Sequence, residues 1–74
     1  MDDIVTKNRV ATEHAPRPED IAKARSDAAL TRKEAAALIY KSATAWKKWE
    51  LGERRMDPAY WELWKINVRD MRGV

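Results

Sequence analysis

Between residues 32 and 55 the chain carries Arg32, Lys33, Lys41, Lys47, Lys48, Arg54 and Arg55 against only Glu34, Glu50 and Glu53. That stretch has a net charge of +4, whereas residues 1–16 set Lys7 and Arg9 against Asp2, Asp3 and Glu13, a net −1. The 74-residue chain as a whole has a formal charge of +3, so its excess is concentrated in one place. The chemistry that such a cluster supports is anion recognition, and localised Lys and Arg are the footprint expected for phosphate contacts. Ser42 adds to it, because a serine just ahead of a helix caps it and leaves other first-turn amides for an anion. Other chemistries find fewer residues. His14 is the single histidine and cysteine is absent, so no thiolate metal site or disulfide can form. Glu19 and Asp20 are adjacent carboxylates, but the positive end of a helix starting at Pro18 accounts for them. Gly52 and Gly73 are the only glycines, which leaves no glycine-rich phosphate loop. No catalytic residue, metal, cofactor or small-molecule ligand is expected, and the chain does not read as an enzyme.

Positioning the basic stretch requires helices, and the start and stop signals are legible. Pro18 can open a first helix running to Asp27 or Ala28, with Ile21, Ala24 and Ala28 on one face. Thr31, followed three residues on by Glu34, forms a capping box for a second helix over 32–39. Ser42 caps a third over 43–51, and Gly52 stands where a helix C-terminus favours a left-handed residue. Asp57-Pro58 starts a fourth, from Pro58 to Val68 or a little further, ending near Gly73. About four residues separate the apolar run Ala35, Ala36 and Ile39 from the first inward residue of the next helix. This is the spacing of a helix-turn-helix, whose second helix enters the DNA major groove. No strand, repeat or low-complexity tract is read, so the expected class is all-α. Residues 1–17, with Pro16 and Pro18 bracketing Arg17, read as a flexible N-terminal arm with transient order around Ile4 and Val5. Residues 18–74 read as one helix-turn-helix domain.

A domain of this size buries a modest core. Trp46, Trp49, Trp61 and Trp64 are its natural staple, since each can bury a large area. No apolar run reaches the roughly 18–20 residues of a membrane span, and MDDIVTKN lacks the basic-then-apolar order of a signal peptide. A soluble, cytoplasmic protein without membrane contact is the expectation.

Leu30-Thr31, Glu34-Ala35-Ala36, Ser42, Trp46, Trp49-Glu50, Gly52 and Arg54 together resemble the Xre/Cro-type helix-turn-helix family, which includes phage repressors and Cro proteins. The resemblance covers Ile21 to about Asn67. It implies a compact, lambda-repressor-like bundle of four or five helices and sequence-specific binding of double-stranded DNA, usually as a homodimer on a two-fold-related operator. A Cro-like transcriptional repressor of a phage or mobile element, acting at the bacterial nucleoid or in the infected host's cytoplasm, is the function it suggests. The chain departs from the family pattern at four positions. Tyr40 stands where the turn is typically Gly and Lys41 where Val is common. Arg32 stands where Gln is common, and Ala43 opens the third helix where longer polar side chains are frequent.

Roles follow for individual residues. With 3.6 residues per turn, Trp46 and Trp49 share one face of the third helix. Thr44, Lys47 and Lys48 lie towards the other, with Ala43 at the border. Ala43, Thr44, Lys47 and Lys48 are therefore the expected base-reading residues. Lysine can donate to guanine O6 and N7, and the Thr44 methyl can meet a thymine methyl. Arg32, Lys41, Ser42, Arg54 and Arg55 are the expected phosphate contacts. Glu50 would repel phosphate if it faced DNA; by resemblance it pairs with an arginine of the first helix, which aligns with Arg25. The resemblance also puts Tyr60, Leu63 and Trp64 inward, leaving Trp61, Ile66 and Val68 as a candidate dimer or partner interface. The rival reading is a protein–protein interaction module or antitoxin that keeps the fold and works through the aromatic fourth helix or the N-terminal arm.

Overall fold

The structure, a computed structural model, describes residues 15–73; the expectations for the arm up to His14 lie outside the described residues. Four helices follow in order: α1 (Pro18–Asp27), α2 (Arg32–Ala37), α3 (Ala43–Glu50) and α4 (Pro58–Met71). No strand occurs among the described residues. The all-α expectation holds, and each helix begins at the residue read from its start signal. Thr31 Oγ1 accepts from the Glu34 amide at 3.1 Å while Glu34 Oε1 accepts from the Thr31 amide at 2.8 Å. Ser42 Oγ accepts from the Ala45 amide at 3.1 Å, and Asp57 Oδ1 from the Ala59 amide at 2.7 Å. These bonds occupy first-turn donors that have no carbonyl within the helix.

The helix ends obey one rule that composition only half reveals. Each closes on a residue with positive φ: Ala29 (59°), Tyr40 (58°), Gly52 (78°) and Gly73 (74°). After α1 the Leu30 amide reaches back to the Arg25 carbonyl and the Ala29 amide to Ser26; after α3, Glu53 reaches Lys48 and Gly52 reaches Trp49. The same pair of bonds follows α2, Lys41 to Ala36 and Tyr40 to Ala37. These are Schellman closures, which satisfy the last carbonyls of a helix and require a left-handed residue. Gly52 is expected in this role from its residue type and Tyr40 from its place in the turn, whereas Ala29 carries no local signal. The second helix stops at Ala37 instead of the expected Ile39, because Leu38, Ile39 and Tyr40 are spent in the closing turn. α3 likewise ends at Glu50, one residue early, while α4 runs on to Met71.

Trp46 and Trp64 centre the core, with ring centroids 5.2 Å apart, and Trp49 meets Trp46 edge-on at 5.6 Å. Ile21, Ala35, Ala36, Ile39, Met56 and Val68 close around them, with Ala24 and Ala28 packed against the cluster. The Trp64 indole N–H donates to the Ala35 carbonyl at 3.1 Å, and the Asn67 amide donates to the Leu38 carbonyl at 2.8 Å. α4 is thus hydrogen-bonded to the end of α2 as well as packed on it. Alanines at 35 and 36 leave no side-chain bulk at this crossing, which lets the indole reach the backbone.

The face of α4 differs from the expected one. Leu63 is 44% exposed and Tyr60 stands at the rim, whereas Val68, expected at an interface, is buried. Trp61, also expected there, is half-buried and stacks on Trp64 with centroids 5.6 Å apart. The cause is rotation: positions 61, 64 and 68 follow one another at i, i+3 and i+7 and make one stripe, which faces the core. Leu63 and Ile66 fall on the opposite side.

Replacing Ala29 by Gly relieves the left-handed strain without loss of packing, and we expect a gain of roughly 0.5–1 kcal/mol. Gly52→Ala should cost about 1 kcal/mol for the converse reason. Thermal melting of both variants, moving in opposite directions, checks the assignment.

Candidate nucleic-acid interface

Glu50 is the last residue of α3 and points inward, its side chain only 2% exposed. Arg25 of α1 donates to both its oxygens, Nε to Oε2 at 2.5 Å and Nη2 to Oε1 at 3.1 Å. The Trp46 indole donates to Oε2 at 2.6 Å, and Arg32 Nε to Oε1 at 3.0 Å. Arg25 Nη1 also donates to the Leu30 carbonyl at 3.1 Å. One carboxylate therefore joins α1, α2 and α3. Burial raises its proton affinity, but the hydrogen bonds from Arg25, Trp46 and Arg32 outweigh this and hold it below the ordinary glutamate range. The expected Arg25–Glu50 pair is present. Arg32, expected at a phosphate, sets its Nε on Glu50, because that carboxylate still has a lone pair to fill after the bidentate Arg25 contact, while its side chain stays 38% exposed.

With Glu50, Trp46 and Trp49 turned inward, the outward side of α3 is set by helical geometry. Thr44 and Lys47 are exposed and Lys48 is half-buried; Ala43 is half-buried at the border. Leu51, which caps the helix, is 53% exposed. Thr44, Lys47, Lys48 and Leu51 are spaced i, i+3, i+4 and i+7, one stripe along the helix. Thr44, Lys47 and Lys48 are the residues expected on this side, whereas Leu51 carries no signal for it, because its apolar character reads as core. No carboxylate occurs from Ala35 to Trp49.

The remaining expected phosphate residues surround this stripe unevenly. Ser42 is exposed at the start of α3, where it caps the helix, and Arg54 and Arg55 are exposed in the loop that follows α3. Lys41 is half-buried, its ammonium 4.5 Å from the centre of the Tyr60 ring. A cation over an aromatic face is held electrostatically, so Lys41 serves as a brace between the α2–α3 turn and α4. Among the described residues no group of three or more histidine, cysteine and carboxylate side chains is positioned to hold a metal ion.

No known family model matches the chain. It is 35% identical over 54 residues to the type II methyltransferase M.MspI of Moraxella sp.. The match takes in 73% of this chain but 13% of that protein.

Glu50→Gln removes the charge at the centre of the network and should cost roughly 2–3 kcal/mol, less than a fully buried pair because both arginines keep some solvent. The folded carboxylate holds its proton more weakly than the unfolded one. Its contribution is therefore complete above the ordinary glutamate value near pH 4.3 and is lost as pH falls through the depressed folded value. Denaturation of the wild type should show this acid loss, and the Gln variant should show less of it.

Proposed function

We propose that the chain binds double-stranded DNA through the outward stripe of α3 and acts as a Cro-like transcriptional repressor. The observation that carries this reading is that one buried carboxylate and two buried indoles fix the rotation of α3. That rotation leaves Thr44, Lys47 and Lys48 outward on a segment without a single acidic residue. In the reading, Lys47 and Lys48 donate to guanine edges, while Thr44 and the border residue Ala43 make short-range contacts with thymine methyls. Ser42, the first amides of α3, Arg54 and Arg55 sit on phosphates. Arg32 keeps its Nε on Glu50, and its terminal nitrogens extend the phosphate contact. Steric occlusion of a promoter by the bound protein would give repression, in a cytoplasmic setting. No described helix is long and apolar enough to cross a membrane. The likeness to a type II methyltransferase spans too little of that enzyme to bring its activity to this chain.

The reading includes a homodimer, with Leu63 and Ile66 of α4 as its apolar contact in place of Trp61 and Val68. Both are 44% exposed, and Glu62, Lys65 and Arg69 flank Ile66 around a shallow depression of about 230 Å³. The face also carries Glu62, bridged to Lys65 at 3.1 Å, and Arg69, so it presents charges of both signs around Ile66 to a two-fold-related copy. A heterologous protein partner on this face is the rival.

Fluorescence anisotropy on a duplex recovered by selection from a random-sequence library, against a scrambled duplex at two salt concentrations, tests the proposal. The expected result is a preference of about a thousandfold or more with affinity that falls as salt rises. Lys47→Ala and Lys48→Ala should each cost roughly 1–3 kcal/mol on the selected duplex alone; equal losses on both would make them phosphate contacts. Light scattering of Ile66→Glu should report a monomer where the wild type is a dimer. A wild-type monomer instead would favour the partner-binding reading.

A further inference from the structure

Tyr40 occupies the turn between α2 and α3 with φ at 58° and is 96% exposed. Two costs meet in one residue. A left-handed conformation is unfavourable for a bulky side chain, and a fully exposed aromatic ring gains nothing from burial. The neighbouring contacts do not offset either. Lys41, next in the chain, packs its ammonium on Tyr60, and Ile39 supplies the buried side chain of the turn. The backbone bonds that close α2, from the Tyr40 and Lys41 amides, would form equally well with glycine at position 40. Strain that packing does not require is a pointer to function.

The surroundings say what kind of group the ring meets. Tyr40 lies two residues before Ser42, the cap of α3, in the turn that leads into the helix carrying the Thr44 and Lys47 stripe. The acid-free segment from Ala35 to Trp49 contains it near the middle. A phenolic hydroxyl donates to anionic oxygen, and tyrosine is among the side chains that bind the phosphate–sugar backbone. We propose that Tyr40 is a DNA-backbone contact, its hydroxyl donating to a phosphate at the edge of the groove that α3 enters. The inference rests on the DNA-binding reading of α3. It assigns the contact to a residue that does not read sequence and carries no charge.

The test pairs Tyr40→Phe, which removes only the donor, with Tyr40→Gly, which removes the side chain and relieves the left-handed strain. Both are measured on the selected and the scrambled duplex over a salt series, alongside thermal melting. Tyr40→Phe should lose roughly tenfold in affinity on both duplexes, the effect of a hydrogen bond to a charged group. Its salt dependence should match the wild type, because a neutral hydroxyl displaces no counterion. Tyr40→Gly should lose at least as much affinity and yet melt no lower than the wild type. Wild-type affinity in either variant overturns the contact, and so does a Tyr40→Gly protein that melts several degrees lower, which would make the ring structural. A wild-type protein that binds neither duplex overturns the reading of α3 itself, and this inference with it, in a measurement made before any variant is needed.

Discussion

The buried carboxylate of Glu50 is the constraint on which the arrangement depends. A charge removed from water is tolerated only when its lone pairs are filled, and here Arg25, Arg32 and Trp46 fill them from three directions. Because these donors belong to α1, α2 and α3, satisfying one group fixes three helices relative to each other. Apolar burial alone would not do this. Hydrophobic attraction is non-directional, and small residues such as Ala35 and Ala36 let neighbouring helices slide. The ion pair selects one rotation of α3 from those that would bury Trp46 and Trp49. Its outward stripe is the consequence.

Aromatic packing then sets the position of α4. Trp64 lies against Trp46 and donates its indole N–H to the Ala35 carbonyl, while Asn67 donates to Leu38. Lys41 over Tyr60 ties the α2–α3 turn to the same helix. A small domain without a disulfide thus gains rigidity from indole area and from polar contacts that are each satisfied. No buried side-chain polar atom among the described residues lacks a partner. Against this economy Tyr40, a bulky side chain both left-handed and almost fully exposed, is an exception, and exceptions of that kind are informative about what a surface is for.

Much of this was legible in the chain. Helix starts were legible because caps are local chemistry: Thr31 with Glu34, Ser42 and Asp57 each satisfy a donor two or three residues away. Helix ends were less so. Gly52 announces a left-handed residue, but Ala29 takes the same conformation because the following Leu30 packs against the core and holds the turn. The Arg25–Glu50 pair came from resemblance to a family and the structure bears it out. Arg32 joined the same carboxylate unforeseen, since nothing in a sequence counts the lone pairs left on a distant oxygen. Leu51 is a different case: a leucine at a helix end is ordinarily core, and its exposure follows from its place on the outward stripe with Thr44, Lys47 and Lys48.

By itself the sequence determined the four helices, their caps, the concentration of positive charge from Arg32 to Arg55 and the inward face of α3, because propensity, capping and 3.6-residue periodicity act within a few residues of each other. Only the tertiary structure decided which stripe of α4 is buried, since a helix with apolar residues on several sides has no intrinsic preference among them. The stacking of Trp61 on Trp64 and the hydrogen bond from Trp64 to Ala35 made that choice, turning Val68 inward and leaving Leu63 and Ile66 outward. It also decided that Arg32 and Lys41 brace the fold at Glu50 and Tyr60, because residues distant in sequence must first meet in space before their charges can compete for partners.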